Sequence, residues 1–569
     1  MPRVAAASSA VATHVRRRMS PWLLVLALVG ASPVVADTGT TDTCASFPGV
    51  QAACERCKRA SADVGRFSAK GVGKASGRAL GRVCASTGGW DWQVGLQQND
   101  LKARLPGFQI IRAADALSGH HGGVTVVSRV NQSNWPGIAR SLAPGIVRTV
   151  SEAETARLCA LWKGEHSYQS FPTLLGCPGF TAREFEPPCA NVAGVYSVRC
   201  ASIDLTSDPT NSGAVYDETR WFRVTHSQHP PKVCNARRVV RLPAVGVALS
   251  VYPTAVGHFV PEQLVGVLLL HAHIPPDVPI IVADAGTTRR YLQPLFDNGA
   301  LAPSRIRFEP LRSDGLVVQA DRVYTPTNSH FSNVMGGDAS YRNARQAFSP
   351  DGPLPASQRV DILLVDRGVG KPRSLINNEA VLGLLQEMVA AGAGAGTGDA
   401  SAAAAVTPPK KLAFRVISWR PHAKNATADV EAFRRAAMIV APHGAGLSNM
   451  LFAAEATPVI ELCYDRTTGG MKCPAMYAAM AANLHLPYWV VTARGGYQTP
   501  MMADLAQLRL AVGQALATMR ALRSSRGISG ISSSSGGNVG EQVASLVRTL
   551  HSTKCHRAAR KGGAGGGQR

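Results

Sequence analysis

The chain is 569 residues long, enough for two or three domains, and its 45% apolar content supports a packed core and excludes a disordered chain. With 60 Lys and Arg against 37 Asp and Glu the formal net charge is +23, a surface that attracts anions such as nucleotides, acidic glycans or membrane headgroups. No zinc-finger spacing and no ribonucleoprotein aromatic motif accompanies that charge, so no nucleic-acid partner is expected.

In chain order, Arg16-Arg17-Arg18 precedes an apolar run from Trp22 to Ala36, and Val34-Val35-Ala36 offers small residues before Asp37. This has the form of a signal peptide, 1–36. The run is short for a bilayer span of ~20 residues. A cleaved signal is therefore favoured over an uncleaved membrane anchor at the N-terminus, and either places the remainder in the secretory lumen. Leu264 to Leu270 is too short to span and fits a buried helix.

Residues 37–190 form a Cys-rich stem or accessory region. Nine of the 12 cysteines lie between Cys44 and Cys234; Cys463, Cys473 and Cys555 are the others. In an oxidising lumen such usage predicts disulfides. Cys54-Glu55-Arg56-Cys57 is an isolated C-x-x-C, read as structural. Cys463 and Cys473 bracket a Gly-rich loop they could staple. Asn131-Gln132-Ser133 and Asn425-Ala426-Thr427 are glycosylation sequons.

From 191 to 348 strands alternate with helices. Strands are expected at Val239–Leu242, Gly246–Val251, Val278–Val282 and Ile306–Phe308; helices run from Glu262 to His271 and from Arg289 to Phe296. Residues 349–358 are Pro/Gly/Ser-rich and read as a linker. A second βα domain, 359–523, opens with Asp361-Ile362-Leu363-Leu364-Val365, carries a strand Phe414–Ser418, and is interrupted by an Ala/Gly/Ser/Pro insertion at 390–410. The end, 524–569, is a low-complexity basic tail. The fold class is α/β with two Rossmann-like domains.

The most informative run is Ala441-Pro442-His443-Gly444-Ala445-Gly446-Leu447-Ser448-Asn449-Met450-Leu451-Phe452, followed by Val459-Ile460-Glu461-Leu462. Met438-Ile439-Val440 predicts a buried parallel strand, Leu447–Ala454 a short helix and Pro458–Leu462 the next strand. Gly444 and Gly446 would allow close approach of a phosphate, and the helix start would offer N–H groups to an anion. An acidic residue ending the following strand, Glu461, suits ribose hydroxyls. The run therefore predicts a nucleotide-diphosphate pocket between a strand and a helix. The plain alternative is an ordinary strand–turn–helix whose glycines serve packing.

This stretch resembles glycosyltransferase family 61, which includes plant β-1,2-xylosyltransferases and arabinoxylan transferases and animal O-linked N-acetylglucosaminyltransferases. His443-Gly444-Ala445-Gly446-Leu447, Asn449, Phe452 and Glu461-Leu462 stand at the family's signature places. A second resemblance is a strand with Arg367, then Arg373 and Ile376-Asn377 before a helix; Gly368 to Pro372 reads as a small insertion between the arginines. An Arg there can clamp a pyrophosphate. Gly368-Val369-Gly370-Lys371 lacks the Ser or Thr of a Walker loop. The third resemblance is Gly257-His258 with an acidic residue four positions on, Glu262, on the same helical face. Lys424 and Trp419-Arg420 end another strand and are candidates only by position.

The resemblance implies a GT-B arrangement, two facing Rossmann-like domains with the nucleotide-sugar site in the second. It implies an inverting transfer of xylose or N-acetylglucosamine from a UDP-sugar donor to a hydroxyl of a glycan or glycoprotein acceptor. Glu262 is expected to be the base, with His258 orienting it; donor contacts are expected from Arg367, Arg373, Asn377, His443, Gly444, Ala445, Gly446, Leu447, Asn449 and Glu461. The chain has no Asp-x-Asp, so no metal or other cofactor is expected. His271-Ala272-His273 reads as local structure, and no Gly-x-Ser-x-Gly elbow exists. The compartment expected is the Golgi ahead of the endoplasmic reticulum, or secretion. The rival reading is a catalytically inactive, lectin-like glycan-binding protein.

Overall fold

The computed structural model of the chain describes residues 109–112, 124–129, 147–148, 153, 156, 160, 194–205, 214–217, 220–223, 238–248, 254–310, 316–327, 338–394, 414–421, 426–465 and 476–528. The expected signal segment, the C-x-x-C pair, Cys473, both sequon asparagines, Lys424 and the tail beyond 528 lie outside them. All described residues belong to one compact unit, 44–569.

The strands are β1 Gln109–Arg112, β2 Val124–Arg129, β3 Val147–Arg148, β4 Gly194–Asp204, β5 Ala214–Tyr216, β6 Arg220–Arg223, β7 Arg238–Val247, β8 Ile280–Asp284, β9 Ile306–Pro310, β10 Leu316–Thr327, β11 Asp361–Val365, β12 Arg415–Trp419, β13 Ala436–Pro442, β14 Val459–Asp465, β15 Tyr488–Gly495 and β16 Met501–Ala503. They form two mixed sheets, consistent with two Rossmann-like domains.

The first sheet runs β1-β6-β5-β4-β10-β7-β8-β9, with β2 paired to β4. Its parallel part is β10, β7, β8 and β9. The two strands expected at 239–251 are one, β7, and Pro243 sits inside it. Pro243 is tolerated because β7 meets β8 only at Gly246 and Val247, which leaves position 243 on an edge where no N–H is required. The long antiparallel pair β4–β10 was not expected. Gln319, Asp321 and Arg322 break the apolar run of β10, which hides the strand from a hydropathy reading.

After β7 the chain enters α1 Val256–His258, a π-helical turn Phe259–Leu264, and α2 Val265–His273. Pro261 has no N–H for the carbonyl of Gly257 four residues earlier, which breaks the α-helical ladder there. Ser448 Oγ reaches that carbonyl at 3.4 Å instead. Later helices are α3 Gly286–Asp297, α4 Asp338–Phe348, α5 Asn378–Gly394, α6 Ala426–Arg434, α7 Met476–Asn483 and α8 Leu505–Ile528. α5 runs to Gly394, so residues 390–394 of the expected insertion are helical. Residues 349–358 run as turns and loop between α4 and β11.

The second sheet runs β12-β11-β13-β14-β15-β16, and β3 adds to β15. From β12 to β15 every pairing is parallel. β11 and β13, buried along their whole length, are near-continuous apolar runs. The chain moves from β11 outward to β12, then returns to the other side of β11 as β13. That reversal makes a crevice at the carboxyl ends of β11 and β13, the place where open α/β sheets bind ligands. The region read as an accessory stem thus adds β1 and β2 to the first sheet and β3 to the second. A single apolar core holds residues of both halves together, including Phe259, Tyr291 and Tyr341 with Ile362, Val440 and Phe452.

Candidate active site

Arg367 follows β11 and His443-Gly444 follows β13, so the strand reversal brings them together. Gly444 adopts φ +151, and a Cβ built on it would collide with Nη1 of Arg367. Glycine is required here so that a guanidinium can lie on the turn. Arg367 Nε donates to the carbonyl of Pro372 at 2.9 Å, which ties down the base of the 368–372 loop. The small insertion therefore leaves Arg367 seated at the turn.

Arg373 lies beside it. Burial, and then the neighbouring charge of Arg373, hold the pKa of Arg367 below its ordinary value. Arg373 lies over the ring of Tyr497, 4.4 Å from its centroid. Its backbone is at φ +61, a strained conformation for a residue with a Cβ. It is held there because Arg373 N–H donates to Thr499 O at 2.8 Å, and the segment after it docks on β16 through Ile376 N–H to Met501 O at 2.7 Å. Among the described residues neither guanidinium has a carboxylate partner. Two adjacent cations, one of them largely buried, form a site that an anion would complete.

His443, which precedes Gly444, is buried. Its Nδ1 is 2.5 Å from Glu461 Oε1, and the Tyr488 hydroxyl donates to Glu461 Oε2 at 2.6 Å. Burial first, and then the Glu461 charge, push the Tyr488 phenol far up, so it stays a donor. The rings of Tyr464 and Tyr477 stand edge-on to His443 with centroids at 5.5 and 5.1 Å. Glu461 itself is 0% exposed. The expectation that it would meet ribose hydroxyls is corrected: its carboxylate is turned inward to a histidine and a phenol.

His258 and Glu262 meet as the four-residue spacing requires, Nδ1 to Oε1 at 3.0 Å. The side chain of His258 is 26% exposed and that of Glu262 only 3%. The two differ in burial. Glu262 stands behind His258, and the histidine is the member that reaches solvent. This helix start touches the turn of the second half directly, since a Cβ built on Gly257 would be 3.2 Å from Ala445 Cβ.

The remaining expected donor contacts are placed as follows. Gly446 makes room for Val365; a Cβ there would fall 2.9 Å from Val365 Cγ1. Ala445 and Leu447 open the short helix, which is a 3-10 helix over Ala445–Phe452; Leu447 is wholly buried. Asn449 is buried and accepts from the Tyr291 hydroxyl at 2.7 Å, a bond between the two halves. Asn377 exchanges two hydrogen bonds with the backbone of Ala503, at 2.9 and 3.0 Å, and so clamps a loop. Arg420 pairs with Asp366 at 2.6 Å, and Trp419 packs edge-on to Phe433 in the core. His271 lies 2.9 Å from Arg305. Cys463 is disulfide-bonded, as is Cys200, with no pairing between the two implied.

Residues not anticipated from sequence are Tyr477, Tyr488, Tyr497, Ser448 and Tyr291. Each lies far along the chain from the group it touches, and an isolated Tyr or Ser carries no motif. Tyr477 is the most connected. It packs on His443, hydrogen-bonds Ser448, and feels Glu461, Arg373 and Arg367; burial pushes its phenol up.

The Glycosyltransferase 61 family model matches residues 256–460, a span that begins at α1 and ends in β14, and so contains both His–Glu pairs except for Glu461 itself. No curated protein sequence matches the chain.

Proposed function

We propose, for a chain whose residues 256–460 are a glycosyltransferase family 61 domain, that it transfers a sugar from a UDP-sugar to a hydroxyl of a glycan or glycoprotein, with inversion and without a metal. As a glycosyltransferase it takes a sugar donor and an acceptor. The observation that carries the finer reading is the pair Arg367–Arg373, two adjacent guanidiniums with no carboxylate partner among the described residues, at the strand reversal of a parallel sheet. A diphosphate has the charge and the oxygen geometry to occupy such a pair.

In the proposed reaction the acceptor oxygen attacks the anomeric carbon as the bond to UDP breaks on the opposite face. Arg367 and Arg373 would stabilise the charge that develops on the departing diphosphate. His258, exposed and backed by Glu262, would take the proton of the acceptor hydroxyl. The absence of Asp-x-Asp supports a metal-independent route. Xylose and N-acetylglucosamine are the donors the family resemblance favours. The disulfides at Cys200 and Cys463 and the N-terminal apolar segment support the secretory lumen, in the Golgi ahead of the endoplasmic reticulum.

Thermal-shift titration of the purified chain with UDP, UDP-xylose, UDP-N-acetylglucosamine and a non-uridine control tests this. A uridine nucleotide should raise the melting temperature by mass action. Failure of every uridine nucleotide to do so would refute the donor class.

A further inference from the structure

We infer that Glu461 is a positioning residue for the donor site, which holds the His443 ring with its proton on Nδ1 and presents Nε2 to the donor; the inference rests on the donor-site reading above.

Three observations lead to this. The carboxylate of Glu461 is completely buried, so it cannot touch a ligand itself. It accepts from two sides, from His443 Nδ1–H at 2.5 Å and from the Tyr488 hydroxyl at 2.6 Å. A buried carboxylate with the second donor already fixed by β15 has no freedom to follow the histidine; the histidine must conform to it. With Nδ1 engaged, Nε2 is the ring nitrogen that remains, and it has no hydrogen bond among the described residues. Tyr464 and Tyr477 pack edge-on against the ring. A carboxylate behind a histidine commonly sets the tautomer and the direction of the other nitrogen.

His443 stands at the head of the turn that follows β13, its side chain 3% exposed against 0% for Glu461. His443 is the residue before Gly444, and Gly444 carries the Arg367 guanidinium. Both Arg367 and Arg373 influence the phenol of Tyr477, which packs on the imidazole. The histidine, the two arginines and the turn are thus one cluster, and a diphosphate held by the arginines lies next to the imidazole. Tyr488 then has a role as well, since it keeps Glu461 in place.

The test is a double-mutant cycle read by calorimetric UDP binding on the full chain, with wild type, Glu461→Gln, His443→Ala and the double variant. Glu461→Gln should weaken UDP about tenfold, the loss expected for one charge-assisted hydrogen bond. In the His443→Ala background the same change should cost nothing further. Tyr488→Phe, which keeps the shape, should give a smaller loss that also vanishes in that background, and it serves if Glu461→Gln does not fold. A readout without ligand accompanies the cycle. The low-field proton spectrum should contain a protected imidazole N–H resonance that is absent in both His443→Ala and Glu461→Gln. Additive losses, or a resonance that survives Glu461→Gln, would overturn the positioning role alone. A wild-type chain that binds no uridine nucleotide would overturn the donor-site reading itself.

Discussion

The guanidinium of Arg367 occupies the space that a side chain on residue 444 would need. The two residues are far apart in sequence and adjacent only because β11 and β13 are neighbours in the sheet. Glycine at 444 is therefore required by the arginine that lies on it. Gly444→Ala should displace Arg367 and weaken UDP binding by tenfold or more. Gly446→Ala, which meets Val365, should instead cost about 1–3 kcal/mol of stability through overpacking and leave UDP affinity near normal. Chemical denaturation and UDP calorimetry on the two variants check the contrast.

Arg373 is strained at φ +61. Replacing it with glycine removes the strain along with the guanidinium. Arg373→Gly should be no less stable than wild type, since relief of a left-handed residue offsets the added freedom of the unfolded chain. Its UDP affinity should nevertheless fall at least tenfold. A parallel loss of melting temperature would show that Arg373 serves the fold.

His258 should matter more to turnover than Glu262. His258→Ala should lower kcat by the ~10²–10⁴-fold typical of a lost general base, with UDP binding intact. Glu262→Gln keeps the shape behind the histidine and should be milder. Initial rates at saturating donor measure this; a dead Glu262→Gln beside an active His258→Ala would return the base to the glutamate.

The hydroxyl of Tyr291 joins the two halves of the protein through Asn449. Tyr291→Phe leaves the buried Asn449 Oδ1 without its donor. The expected cost is about 1–3 kcal/mol. Equilibrium unfolding followed by tryptophan fluorescence reports it, and UDP affinity should be unaffected at temperatures well below the transition.

Turnover should survive EDTA. Loss of activity on chelation that Mn²⁺ restores would refute the metal-independent route.

The sequence by itself determined the elements that carry local signals. β11 and β13 are legible because both of their faces are buried and their residues are near-continuous apolar runs. The contact between His258 and Glu262 is legible because a helical turn places residues four apart on one face. The His443 turn is legible because two glycines bracket a small residue between a strand and a helix. The tertiary structure alone decided what those residues face. That Gly446 abuts Val365, that Glu461 turns inward to Tyr488, and that Asn449 bonds Tyr291 depend on the order of strands and on the meeting of two halves. Strand order is set by the packing of the whole sheet, and no residue pattern within one strand encodes its neighbour. Exposure is likewise a collective property. Glu262 and His258 are equally polar in sequence, yet the packing around α1 buries one and leaves the other open.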